Sequence, residues 1–124
     1  KALQLEGYTD TTLVTPQQTS ARDVARLLER LQAGSLLSAK SSNLFMSYLK
    51  DQKVNNRLPV GLPAGTMIAH KTGDLDGYVH DAGIVYGPKT DYLVVVMSGA
   101  WQRPATAAGA HAELSKQLWQ YFNQ

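Results

Sequence analysis

The stretch that decides the fold is Thr66-Met67-Ile68-Ala69-His70-Lys71-Thr72-Gly73-Asp74-Leu75-Asp76-Gly77-Tyr78-Val79-His80-Asp81-Ala82-Gly83-Ile84-Val85. Two β-prone runs, 66–73 and 78–86, flank the polar turn Asp74 to Gly77, which predicts an antiparallel hairpin. A third run, Tyr92 to Ser98, follows a second short turn at Gly87 to Asp91 and extends the hairpin into a meander. Its centre, Leu93-Val94-Val95-Val96-Met97, is apolar without alternation, so this strand is expected to be covered on both faces, with helices packed on either side of the sheet. Within the first strand, Lys71 and Thr72 alternate across the backbone and Gly73 leaves it bare. One cation, one hydroxyl and an open stretch of main chain along one edge are suited to holding an anionic substrate.

Outward from the sheet, helices are predicted on each side. Ser20-Ala21-Arg22-Asp23 carries an N-cap acceptor and a first-turn carboxylate, followed by Val24, Leu27, Leu28 and Leu31 at i, i+3, i+4 and i+7, with Gly34 as the stop. Ser38 caps a second helix, in which Leu44, Phe45, Tyr48 and Leu49 are expected to form the buried stripe up to about Asp51. A closing helix is predicted near 111–122, with Leu114, Leu118 and Tyr121 facing inward and Trp119 and Phe122 beside them. The preceding alanine-rich stretch reads as linker. The expected layout is thus a loop over 1–19, two helices over 20–52, a connector over 53–65 with two prolines and two glycines, strands over 66–98, and a linker and helix over 99–124.

Composition narrows the function classes. A 124-residue chain with 44% hydrophobic residues fits one domain or part of one, and would bury roughly two-thirds of its unfolded surface. Net charge is +2 with scattered basic residues, so no nucleic-acid or lipid-binding patch is implied. There is no cysteine, which removes disulfides and thiol catalysis, and the three histidines have no metal-ligand spacing. No metal or other cofactor is called for, since a phosphate-binding glycine loop is also lacking. No run is apolar enough to span a bilayer, and no signal peptide stands at Lys1.

Lys71-Thr72-Gly73, with Leu62-Pro63-Ala64-Gly65 before it and Tyr78 to Val85 after it, resembles the serine penicillin-recognising enzymes, most closely the class A β-lactamase-related family. The resemblance runs from about Gly7 to Phe122 and implies an α+β fold in which this chain is an incomplete, C-terminal half of a β-lactamase/transpeptidase-like architecture. It implies Lys71 as the cation beside the nucleophile, Thr72 as a donor to the substrate carboxylate, Gly73 as the place of closest approach, and the Asp74 backbone N–H as one oxyanion donor. Family members bind the substrate carboxylate with an arginine either on the strand after Lys-Thr-Gly or on the connector before it. Tyr78 to Tyr86 holds none, and Arg57 is the connector's candidate.

Other parts of the family pattern are not matched. Ser47-Tyr48-Leu49-Lys50 has the form Ser-x-x-Lys and Ser41-Ser42-Asn43 the form Ser-x-Asn, but both crowd just ahead of Lys71 where the family places its nucleophile far earlier in the chain. Helical geometry also turns Ser47 and Lys50 away from Leu49, so both matches read as accidental. Glu6, the lone glutamate ahead of the first helix, lacks the asparagine spacing of a deacylating loop and reads as a solvated loop charge. His70 reads as a satisfied strand histidine opposite Lys71. Adjacent strand residues face opposite ways, which disfavours contact between Asp81 and His80; the resemblance implies that Asp81 fixes backbone or a neighbouring helix, as an aspartate at the matching place does in relatives.

The resemblance therefore implies a piece of a serine hydrolase acting on β-lactams or related, peptide-like acyl substrates, inactive alone, exported to the periplasm or secreted. It also implies that the third strand pairs with a missing N-terminal half or with a strand-exchanged copy. A penicillin-binding or peptidase-like relative, and a noncatalytic binding module keeping the fold, are the alternatives.

Overall fold

A computed structural model describes residues 19–124; Glu6 and the Gly7-Tyr8-Thr9-Asp10-Thr11 segment lie outside the described residues. The order is α1 (Ala21–Gln32), α2 (Ala39–Lys50), a 3-10 turn (Leu58–Gly61), β1 (Met67–Leu75), β2 (Tyr78–Tyr86), β3 (Tyr92–Ser98) and α3 (Pro104–Asn123). The strands form one antiparallel sheet in the order β1-β2-β3.

The expected caps are in place. Ser20 Oγ accepts from the Asp23 amide at 3.1 Å, and Ser38 Oγ accepts from the Ser41 amide at 3.2 Å, satisfying donors that a helix start leaves orphaned. α1 ends where Gly34 takes a φ of 67°, a left-handed turn that costs glycine little. β1 runs two residues past its expected end. Asp76-Gly77, with Gly77 at φ 72°, closes a two-residue hairpin, so pairing continues to Leu75 opposite Tyr78.

Helices cover both faces, and each face has its own core. On one, Leu28 and Leu31 of α1 and Leu49 of α2 meet Ala69 and Ile84. On the other, Leu58 of the 3-10 turn joins Ile68, Val85, Tyr92 and Val94, with Leu118, Trp119 and Phe122 of α3 packed against them. Tyr92 stacks on Phe122 with ring centroids 4.8 Å apart.

Three expectations need correction. In α2 only Leu49 of the four stripe residues is buried; Leu44, Phe45 and Tyr48 are exposed and Ser42 takes the inward place. The apolar periodicity located a wide face, but the sheet covers only one side of it. α3 begins at Pro104 rather than near residue 111, because proline suits a first helical turn and the alanines after it are good helix formers. Leu114 and Tyr121 are exposed, and the buried face is Ala107, Ala108, His111 and Ser115. Small residues win that face because α3 lies against the 3-10 turn at close range: a Cβ on Gly61 would collide with the Ala112 carbonyl oxygen. Finally, β3 is not covered on both faces along its whole length. Tyr92 and Val94 are buried, whereas Leu93 and Val95 are half-buried and Met97 is exposed.

Candidate active-site edge and groove

The register brings the polar residues together. Lys71 pairs with Ala82, Thr72 with Asp81 and Gly73 with His80. Alternation then sends His70, Thr72 and Asp81 toward the α3 face and Lys71, Gly73 and His80 toward the α1/α2 face.

On the α3 face the polar groups are bound to one another. Asp81, fully buried, accepts from His70 Nδ1 at 2.9 Å through one oxygen and from the Leu58 backbone N–H at 3.3 Å through the other. His70 Nε2 lies 3.0 Å from the side-chain oxygen of Asn55. The connector is thus tied to the sheet at Asn55 and Leu58. Asp81 fixes backbone, as the resemblance implied, and His70 is a partnered strand histidine.

Arg57, between those two anchors, is only 4% exposed. Its Nη1 donates to the carbonyl of His80 at 2.6 Å and of Gly73 at 3.3 Å, and its Nη2 pairs with the Asp74 carboxylate. The structure therefore places Arg57 directly behind the Gly73–Asp74 edge, with its forked donors engaged by protein oxygens. Such a clamp holds the end of β1 at a defined spacing from β2 and lends the edge positive potential.

On the opposite face lies an open groove of about 720 Å³. Its apolar walls include Leu27, Leu31, Leu37 and Phe45 from the helices and Val95 and Met97 from β3, and its polar end is Lys71, Thr72, Gly73 and His80. Lys71 is exposed, and its ammonium bonds to the Thr72 carbonyl; Thr72 is 7% exposed at the groove wall. The four residues Lys71, Thr72, Gly73 and Asp74 thus occupy one strand edge, and Arg57 reaches it from the connector.

The two accidental motif matches are occupied locally. Ser47 Oγ donates to the Leu44 carbonyl at 2.7 Å, while Lys50 Nζ lies 4.8 Å from the centre of the Tyr86 ring, and both residues are exposed. Ser41 belongs to the cap of α2.

Sequence reasoning missed two participants. Asn55 gave no signal, because only folding sets it against His70. His80 was weighed against its neighbour Asp81 and not against Gly73, yet pairing outward from the two-residue turn at Asp76-Gly77 places it across from that glycine. His111, buried beneath Ser98, has its pKa lowered from 6.5, chiefly by burial, with Arg57 and His80 lowering it further and Asp81 opposing.

The family model of the beta-lactamase enzyme family matches residues 2–122. This chain belongs to the beta-lactamase enzyme family. Among solved structures, the family member is similar to PBP-A, with 30% identity and a TM-score of 0.83, over 97% of this chain and 48% of that one. A mutant of PBP-A with the same likeness was captured as an acyl-enzyme complex with penicillin G. A beta-lactamase from Sphaerobacter thermophilus DSM 20745 shares the fold at 20% identity and a TM-score of 0.83, over 98% of this chain and 51% of that one. The beta-lactamase-family chain therefore spans about half the length of the structures it matches. Comparison with curated protein sequences finds no significant match. Among the described residues, no helix of this family member is long and apolar enough to cross a membrane.

Proposed function

We propose that this chain is the C-terminal part of a β-lactamase-like serine hydrolase, and that its Lys71–Asp74 edge receives β-lactams or related acyl substrates. The observation that carries this reading is the placement of Lys71, Thr72 and Gly73 at the polar end of an otherwise apolar groove. A serine on the remaining part of the enzyme attacks the substrate carbonyl, and the Asp74 backbone N–H is one of two donors to the oxyanion that develops. Lys71 supplies positive potential at the reacting centre, and the Thr72 hydroxyl donates to the substrate carboxylate. Arg57 adds a second cation behind the edge and holds Gly73 and Asp74 in place; any bond it makes to the substrate carboxylate comes in addition to its bonds to protein.

Support for a companion segment comes from the groove itself. Exposed Phe45 and Leu37 and half-buried Val95 leave an apolar trough on the sheet, and among the described residues β3 is a sheet edge. Polypeptide carrying Ser-x-x-Lys, the missing N-terminal half, completes it; in the alternative, a strand-exchanged copy of this chain covers the groove and the serine comes from elsewhere. The complete enzyme works in the periplasm or outside the cell.

A penicillin-binding relative is the second reading, favoured by the 30% identity to PBP-A, one mutant of which holds penicillin G as an acyl-enzyme. The test is labelling of the full-length gene product with a fluorescent penicillin, with and without Lys71→Ala. Labelling of the parent and a loss of about 100-fold or more in the variant are expected, as when one electrostatic group of an acyl-transfer site is removed. Equal labelling of both refutes the assignment of Lys71. Nitrocefin turnover then separates the readings: fast release supports a β-lactamase, and a long-lived acyl-enzyme supports a penicillin-binding protein.

A further inference from the structure

His111 is a buried titratable side chain that no step above uses. It stands on α3 and is 2% exposed. Toward β3, Ser98 Oγ donates to the Val79 carbonyl at 2.6 Å, so its 3.0 Å contact with His111 Nε2 is an N–H donated by the histidine. Neutral imidazole carries one ring proton, which is therefore on Nε2, and Nδ1 keeps its lone pair. That nitrogen is buried and, among the described residues, has no hydrogen-bond partner. One helical turn further on, Ser115 is wholly buried on the same face with an unpartnered hydroxyl.

This face of α3 is the backing of the connector. A Cβ on Gly61 of the 3-10 turn would collide with the Ala112 carbonyl oxygen and with Ser115 Cβ. The turn starts at Leu58, next to Arg57, whose guanidinium holds the carbonyls of Gly73 and His80. A second proton on His111 goes to Nδ1 and puts a charged donor into this contact. Burial is the largest obstacle to that charge; Asp81 of β2 favours it, while Arg57 of the connector and His80 of β2 oppose it. Both Asp81 oxygens are already bound, one by His70 Nδ1 and one by the Leu58 N–H, and Ser98 of β3 is uncharged. Water is left to solvate the imidazolium, and it enters as α3 moves off the 3-10 turn.

We propose that His111 is a pH-sensitive brace of this site: neutral, it seats α3 against the connector and the end of β3, and doubly protonated it lifts α3 from the 3-10 turn and loosens Arg57 from the Gly73–Asp74 edge. The proposal rests on the reading of that edge as an acyl-transfer site and goes beyond it in naming how the site is regulated, with acid as the off signal. The folded pKa of His111 lies below 6.5, so the brace is set at neutral pH and released as pH falls through the folded value.

The experiment follows acylation of the full-length gene product by a fluorescent penicillin from about pH 7.5 to about pH 4.5, with circular dichroism confirming that the protein stays folded. If one proton on His111 switches the site off, the parent retains about a tenth of its neutral rate at one pH unit below the His111 midpoint, as a single-site titration requires. His111→Gln, whose amide reaches Ser98 Oγ and does not titrate, is expected to keep the neutral rate within about threefold and to react about tenfold faster than the parent at that acid pH. The midpoint is read from the 15N shifts of the His111 ring, and the Leu58 and Asp74 amide resonances of the parent are expected to move with it. An acid limb identical in parent and variant, or Leu58 and Asp74 resonances that do not follow His111, overturns the proposal. If His111→Gln does not fold, the parent's resonances decide alone. If the parent is not acylated at any pH, the acyl-transfer reading fails, and the same resonances judge the brace separately.

Discussion

The two faces of the sheet are built from the same three strands and are finished to different degrees. The α3 face is closed: Leu58 and Val85 are wholly buried, His70 and Asp81 bond to Asn55 and Leu58 of the connector, and the connector's Arg57 bonds to strand carbonyls. The α1/α2 face is closed only near Leu28, Leu31 and Leu49, and toward Lys71 it opens into an apolar groove with Phe45 and Met97 exposed. The difference teaches where the chain spends its own residues. Among the described residues, it uses them to fix the strand edge from behind and leaves an open apolar wall at the front of that edge. A reactive edge has to be rigid on one side and accessible on the other, and this division provides both.

The largest expected contrast between the faces is in stability. Leu58→Ala removes a fully buried side chain from the closed face and is expected to destabilise the protein by about 2–5 kcal/mol, read as a lowered midpoint in urea. A loss below about 1 kcal/mol would show that the α3 face is far looser than its packing indicates.

A smaller effect tests the polar part of that face. Burial holds the folded pKa of His111 below 6.5, its ordinary value, so the unfolded chain binds the extra proton more readily. Its contribution to stability is complete above that ordinary value and is lost as pH falls through the folded pKa. His111→Gln is expected to flatten this acid limb in a series of denaturation curves from pH 7.5 to 5. An unchanged acid limb in the variant would assign the pH dependence to other groups.

The smallest expected effect belongs to the open face. Phe45→Ser alters a side chain that is 46% exposed, and in this chain it is expected to cost under about 1 kcal/mol. The same change should weaken whatever polypeptide fills the groove, which denaturation of the completed enzyme would reveal as a larger loss. If Phe45→Ser destabilised this chain as much as Leu58→Ala does, the contrast between a closed and an open face would collapse.

Much of the fold follows from local signals. Ser20 and Ser38 mark helix starts through their own hydroxyls, Gly34 ends α1 through its positive φ, and Asp76-Gly77 sets the hairpin register. These depend on residues a few positions apart and are legible one stretch at a time. Burial in α2 and α3 was not legible in this way. Leu44, Tyr48, Leu114 and Tyr121 have helical spacing suited to a core but nothing in the described structure to lie against, and the inward places go to Ser42, His111 and Ser115.

The candidate site divides along the same line. Lys71, Thr72 and Gly73 are adjacent in sequence, so strand geometry alone distributes them over one edge and its two faces. By itself the sequence determined the meander, the helix caps and that edge, because each arises from interactions within a turn or a pair of neighbouring strands. Only the tertiary structure decided that Arg57 lies behind Gly73 and Asp74, that Asn55 and Leu58 are held by His70 and Asp81, and that His80 lies between Ser98 and Gly73. Those contacts join residues 15 to 23 positions apart or bridge separate strands, and which of the many competing partners is chosen depends on the packing of the whole sheet against its helices.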